Sequence, residues 1–215
     1  MSRLLIACLL VVFLIPGFIW YGQTGDLSVY FSESAPDGQF LYVLSKLVGM
    51  YALLLISWQI IITLLTRLGI MHFQWRGATH RLFGVFVVVL ALTHLLLFFT
   101  AVSLRQDAPA LGMFLPNFKD FYHTHLTFGL LGLWVLFAVL ASGLDRYRKN
   151  TSHSRLLHKG YWVSIALVYF HALAVGTESQ SKVGLIFYSA LGILVLLLLV
   201  IWLISQGKTR LGYSI

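Results

Sequence analysis

The chain has 215 residues, 59% of them hydrophobic and only 10% charged, with a net charge of +8. A soluble globular domain is roughly 45–50% apolar and about 25% charged. This balance, with a mean hydropathy of +0.87, excludes an ordinary soluble protein and a disordered one. The expectation is one all-α domain over residues 1–215, an integral membrane bundle of six transmembrane helices. Lipid offers no partner for free backbone groups, which favours helices, and the alternation of a membrane barrel strand is absent.

The first apolar stretch covers residues 4–21. It follows Arg3 as a signal peptide would, but runs into Pro16-Gly17-Phe18-Ile19-Trp20 with no small-x-small cleavage site. It reads as a retained helix with a kink or stop at Pro16. Cys8 lies inside it and is the only cysteine, so an intrachain disulfide, C-x-x-C-H haem attachment and a cysteine-rich metal site are all excluded. Cys8 itself reads as a small core residue.

The further stretches are 41–66, 82–102, 121–144, 160–177 and 183–205, each long enough to span as a helix. The longest loops, 22–40 and 103–120, hold Pro36, Pro109 and Pro116, and no internal repeat stands out. Eleven basic residues fall on one side: Arg3, Arg67, Arg76, Arg81, Arg146, Arg148, Lys149, Arg155, Lys159, Lys208 and Arg210. Lys46, Arg105, Lys119 and Lys182 fall on the other, so the positive-inside rule makes the first side and both termini cytoplasmic. The expected location is the cell (inner) membrane, multipass. The basic residues sit between apolar runs rather than on one polar face, so lipid is the expected surface and nucleic acid is not a partner. Tyrosines and tryptophans near the span ends read as interfacial belts.

Histidines carry the chemical signal, because ionisable groups within membrane helices are costly and functional by default. His94 and His171 lie well within the third and fifth stretches, and His80 and His158 stand at the cytoplasmic starts of the same two helices. Fourteen residues separate His80 from His94, which returns the side chain to within about 40° of the same face and about 20 Å along the axis. Each of two levels then holds one histidine from each helix. Two neutral imidazoles facing each other are the ligation expected of a six-coordinate b haem, and two levels imply two haems stacked across the membrane. The 13 residues from His158 to His171 fit less simply, since 13 ideal steps end about 140° away. Either the fifth helix is overwound or His158 sits on a lead-in turn, which Gly160 would permit. Gly84, four residues after His80, and Ala172 and Ala174 around His171 leave room for a ring or for helix packing.

The run Thr79-His80-Arg81-Leu82-Phe83-Gly84 through Thr93-His94, with Leu157-His158-Lys159 through Phe170-His171, resembles the ferric reductase-like transmembrane domain. That superfamily includes the NADPH oxidases, the ferric reductases and the haem-binding subunit of the periplasmic methionine sulfoxide reductase system. The resemblance covers nearly the whole chain. It implies a cytochrome carrying electrons across the membrane, with His80 and His158 as axial ligands of an inner haem and His94 and His171 of an outer one.

Two departures shape the expectation. The oxidases and ferric reductases continue into a flavin and nicotinamide domain, whereas here the chain ends at Ile215 and has no G-x-G-x-x-G. The expected donor is therefore a separate cytoplasmic flavoprotein reductase or a quinol, so that any flavin or quinone comes from a partner. The methionine sulfoxide reductase subunit also lacks that domain, but it has no histidine at the place of His80, which favours two full haems here. The acceptor is expected on the outer side, as ferric iron, oxygen or a periplasmic protein's cofactor. A reading of another class is a proton- or metal-coupled transporter using its membrane histidines, which the absence of Asp or Glu deep in any span disfavours.

Arg76, Arg81, Arg155 and Lys159 surround the inner histidines. They set topology and are candidates for pairing with haem propionates or for docking an acidic flavoprotein. Arg105 and Lys119 are weaker candidates at the outer haem. His123 and His125, beside Asp120 and Tyr122, read as interfacial polar residues or as an external substrate contact. His72 and His153 read as exposed loop residues.

Overall fold

A computed structural model describes residues 3–71, 77–148 and 151–210, with side chains over 11–71, 77–145 and 151–206. Among the described residues there is no strand. Seven helices follow in order: α1 Arg3–Thr24, α2 Gln39–Arg67, α3 Gly77–Gln106, α4 Phe121–Arg148, α5 Ser152–His158, α6 Tyr161–Val175 and α7 Lys182–Arg210. Short 3-10 turns at Leu27–Phe31 and Leu111–Phe114 interrupt the two long loops. His72, Arg76 and Lys149 lie outside the described residues.

Four helices, α2, α3, α4 and α7, are long and apolar enough to cross a membrane, as expected of a multipass membrane protein. The helix α1 passes through Pro16 without stopping there, so the expected stop is not where the helix ends. Residues 160–177 do not form one spanning helix. Regular helix α6 has 15 residues, which at about 1.5 Å each is about 22 Å, shorter than an apolar core of about 30 Å. The seven-residue α5 precedes it, and Lys159–Gly160 joins the two. Thr151 caps α5 by accepting from the Ser154 backbone N–H.

The helix α2 is the centre of the bundle. Its Leu53, Leu54, Ile56, Ile60 and Leu64 pack with Val87 and Val88 of α3, Leu136 of α4, Ile165 of α6 and Tyr188 and Val195 of α7. Several polar groups in this interior bond to backbone or to each other. The Tyr188 hydroxyl donates to the Met50 carbonyl (3.3 Å), and the Trp20 indole donates to that of Val43 (2.6 Å). Ser57 donates to the Leu53 carbonyl (2.7 Å) while its hydroxyl meets that of Tyr169 at 3.0 Å. The outer surface is the reverse of a soluble protein's: Leu82, Phe86, Val89 and Leu96 along α3 are all exposed. Such a continuous apolar exterior is what a helix presents to lipid.

Two antiparallel pairs position the histidines, α2 with α3 and α4 with α6. Gly38 opens α2 at φ +71°, and a Cβ there would lie 2.8 Å from the Ala101 backbone. Only glycine allows the end of α3 to approach so closely while adopting that left-handed conformation.

Candidate functional site: two histidine pairs at two levels

The bundle brings these four histidines together as two pairs. The rings of His94 and His171 have centroids 6.2 Å apart with planes at 68°. Those of His80 and His158 are 6.1 Å apart at 64°. On α3 the two levels are 14 residues apart, about 21 Å of helix. On the opposite side, between α5 and α6, the break at Lys159–Gly160 absorbs the misfit of 13 residues. His158 is the last residue of α5, and His171 stands on α6. A continuous ideal helix could not face both rings the same way.

Three of the four rings share one setting. His94 Nδ1 lies 2.7 Å from the Ser45 carbonyl, His171 Nδ1 2.9 Å from that of His125, and His158 Nδ1 3.3 Å from that of Val139. A carbonyl only accepts, so each neutral ring donates from Nδ1 and carries no proton on Nε2. Four residues beyond each carbonyl stands a glycine. A Cβ would lie 2.9 Å from His94 Nδ1 at Gly49, 2.7 Å from His171 Nδ1 at Gly129 and 3.4 Å from His158 at Gly143. Each histidine thus lies in a notch made by a missing side chain, with a carbonyl one turn away.

These cradles show a repeat that residue identities hide. Ser45 and His125 stand 80 positions apart, as do Gly49 and Gly129, and each pair holds the same place on α2 and α4. The second cradle of α4, Val139 and Gly143, lies 14 residues after the first. The matching positions on α2 are Gln59 and Thr63, and there the Gln59 side chain reaches His80 directly, with Nε2 3.0 Å from Nδ1 and 2.9 Å from the His80 carbonyl. Gly84 faces this amide, its Cβ position 3.7 Å from Gln59 Nε2. Room left by Gly84 therefore adjoins Gln59.

A cavity of about 520 Å³ contains the His94–His171 level and extends to the loop between α3 and α4. Leucines, Val168 and Ala172 line its depth, while Tyr122, His123, Asn117 and Gln106 line its mouth. The cation at this mouth is Lys46, which sequence reasoning counted only toward topology. Its Nζ meets Glu178 at 3.1 Å and Thr177 Oγ1 at 2.7 Å, and lies 4.4 Å from the centroid of Tyr42. A lone lysine just inside an apolar run was the available signal.

The remaining basic candidates lie elsewhere. Arg105 packs on Tyr42 and bonds Gln39, and Lys119 is exposed; neither lines the cavity. Arg81 Nε donates to the Gly77 carbonyl at 3.2 Å. Arg155 and Lys159 are exposed beside the His80–His158 level, and His153 is exposed as expected of a loop residue, although it lies on α5.

His125 contributes its carbonyl to the site. Its own ring turns back to the Phe121 carbonyl (2.7 Å) and stacks against Phe121. His123 lines the cavity mouth and pairs with Asp120. Among the described residues no three His, Cys, Asp or Glu side chains converge to hold a bare metal ion.

Asp120 accepts from the His123 backbone N–H at 2.8 Å, in the manner of a helix cap. That bond, then the His123 ring, holds its carboxyl below the usual carboxylate range. A lowered folded-state value makes the cap's contribution complete above the unfolded value of about pH 4, and lost as pH falls through the lower folded one. The first turn of α4 is expected to fray in acid in the native protein and already at neutral pH in Asp120→Ala. Faster amide exchange at His123 is the readout, and unchanged exchange in the variant would remove the cap.

No family profile, no curated protein and no solved structure matches the chain.

Proposed function

We propose that this chain is a transmembrane di-haem b-type cytochrome, carrying electrons from a cytoplasmic donor to an acceptor on the outer side of the cell membrane. The observation that carries the reading is the spacing of the two histidine pairs. A metal atom between two imidazoles lies about 2.0 Å from each nitrogen, itself about 1.1 Å from its ring centre, so the ring centres stand about 6.2 Å apart. The two pairs stand at 6.2 and 6.1 Å. A direct hydrogen bond between facing nitrogens, at about 3.0 Å, would bring the centres to about 5.2 Å. Three rings donate from Nδ1 to a carbonyl, the arrangement that fixes a metal-ligating histidine's tautomer and raises its basicity. The mostly apolar cavity around His94 and His171 suits a flat apolar macrocycle.

In this reading the bundle has six spans, with α1 and the broken α5–α6 unit joining the four long helices, and both termini are cytoplasmic. His80 and His158 form the inner pair, and His94 and His171 the outer one. A b haem supplies one-electron redox chemistry. The chain's own contribution is to hold four imidazoles in place, exclude water from the outer pair with an apolar cavity, and place Lys46 at its mouth. Arg81, Arg155 and Lys159 give the inner end a basic face suited to an acidic flavoprotein, and a quinol is the other donor. Ferric iron is one acceptor compatible with the open outer mouth.

A haem subunit of a periplasmic methionine sulfoxide reductase system is the second reading, and His80 opposing His158 weighs against it. A histidine-based proton or metal transporter is the third. Against it stand three of the four Nδ1 atoms, each facing a backbone carbonyl rather than a pathway.

A reduced-minus-oxidised visible spectrum with a pyridine haemochrome count tests the proposal. Two b haems per chain are expected. No haem in protein expressed with ample haem supply overturns it.

A further inference from the structure

Of the four histidines, His80 alone has a side-chain amide where the others have a carbonyl. Gln59 Nε2 lies 2.9 Å from the His80 backbone carbonyl and 3.0 Å from His80 Nδ1. The carbonyl can only accept, so the amide end facing it is nitrogen. The second hydrogen of that NH₂ group then points at Nδ1, which accepts it. A neutral imidazole that accepts at Nδ1 carries its proton on Nε2. His94, His171 and His158 are held in the opposite tautomer by the carbonyls of Ser45, His125 and Val139.

The backbone of α2 does not make up the difference. The carbonyl matching that of Val139 is Gln59's own, and Thr63 Oγ1 donates to it at 2.7 Å. Thr63 stands where α4 has Gly143, so the notch is filled and its carbonyl is engaged. For His80 to ligate through Nε2, the ring proton must move from Nε2 to Nδ1, where Gln59 presents a donor.

We propose that Gln59 makes His80 the weakest-held ligand of the four, so that the inner pair binds its haem at least tenfold more weakly than the outer pair. The inference rests on the di-haem reading. Its magnitude follows from the 10–100-fold that an outer-shell partner typically contributes to metal affinity. Gln59 is a positioning residue in this scheme, acting through His80. One consequence is that the level facing the cytoplasm fills last and empties first. The molecule would then pass through a state holding the outer haem alone.

The test is haem transfer from the purified full-length holoprotein to excess apomyoglobin, with midpoint potentials measured on the same samples. The native protein is expected to lose haem in two phases whose rates differ at least tenfold. In the double variant Gln59→Ala with Thr63→Gly, the residue-59 carbonyl is released to accept from His80 Nδ1, as in the other three cradles. The fast phase is expected to slow at least tenfold and one midpoint potential to fall, while the slow phase and the other potential stay unchanged. Gln59→Leu, which removes the opposing donor alone, is expected to slow the fast phase severalfold and serves if the double variant does not fold.

Equal loss rates from the two sites in the native protein would overturn the inference. So would a fast phase unmoved by these variants, or one that changes together with the slow phase. Each of those results leaves two haems per chain, and so leaves the cytochrome reading standing. Absence of haem from the native protein would instead overturn that reading.

Discussion

Replacing His171 with leucine is expected to halve the haem content of the purified protein, from the two b haems per chain proposed above to one. His171 faces His94 at 6.2 Å between ring centroids, and its Nδ1 is held by the His125 carbonyl at 2.9 Å. Leucine suits an apolar helix, and losing one hydrogen bond costs about 1 kcal/mol, so the bundle is expected to persist. In the proposed reading the two other histidines at this end are not placed to replace His171. The ring of His125 is turned to Phe121, and His123 is engaged with Asp120. The expected spectrum keeps the b-type signal of the remaining pair at half the amplitude. A haemochrome count of two in His171→Leu would sink the assignment of this histidine.

Gly129→Ala is expected to weaken haem binding at the same level about 10–100-fold without altering any ligand. A Cβ at 129 would lie 2.7 Å from His171 Nδ1 and 2.8 Å from its Cγ. Real Cβ atoms do not approach so closely, so the ring must move, and its bond to the His125 carbonyl must lengthen or break. Gly143→Ala is the internal control. Its Cβ would stand 3.4 Å from His158, close to ordinary contact, and an effect under about threefold is expected there. A haem titration of both variants reads the difference. Equal fold-changes, each taken against the same site in the native protein, would mean that the notch does not position the ring. The comparison separates positioning from packing, because both glycines lie on α4 and both substitutions add the same methyl group.

The glycines also show why part of the site was not legible in the chain. Gly49, Gly129 and Gly143 sit in apolar runs where small residues ordinarily mediate helix contacts. Nothing local distinguishes a glycine that admits an imidazole from one that admits a neighbouring helix. Gly84 was the visible candidate because it follows His80 by one turn, yet its open face is against Gln59. Ser45, His125 and Val139 share no side-chain chemistry, since each acts through its backbone carbonyl. Their recurrence at matching places on α2 and α4 is a repeat of position, not of residue type.

Composition and periodicity by themselves determined a helical, apolar chain with helices long enough to cross a membrane, because hydropathy over about 20 residues is a local sum. They also determined that four histidines fall at two depths, because rise per residue in a helix is fixed. Tertiary structure decided what those depths mean. It set α3 against α5 and α6 so that His80 meets His158 and His94 meets His171. It placed the break at Lys159–Gly160 that lets a 13-residue spacing serve. It drew Lys46 rather than Arg105 or Lys119 to the cavity mouth, through Glu178 on a loop 132 positions away. It also put Gln59 beside His80 where the other three rings find a carbonyl. Each of these depends on which helix faces which. That choice is made by packing over the whole bundle, and no window along the chain contains it.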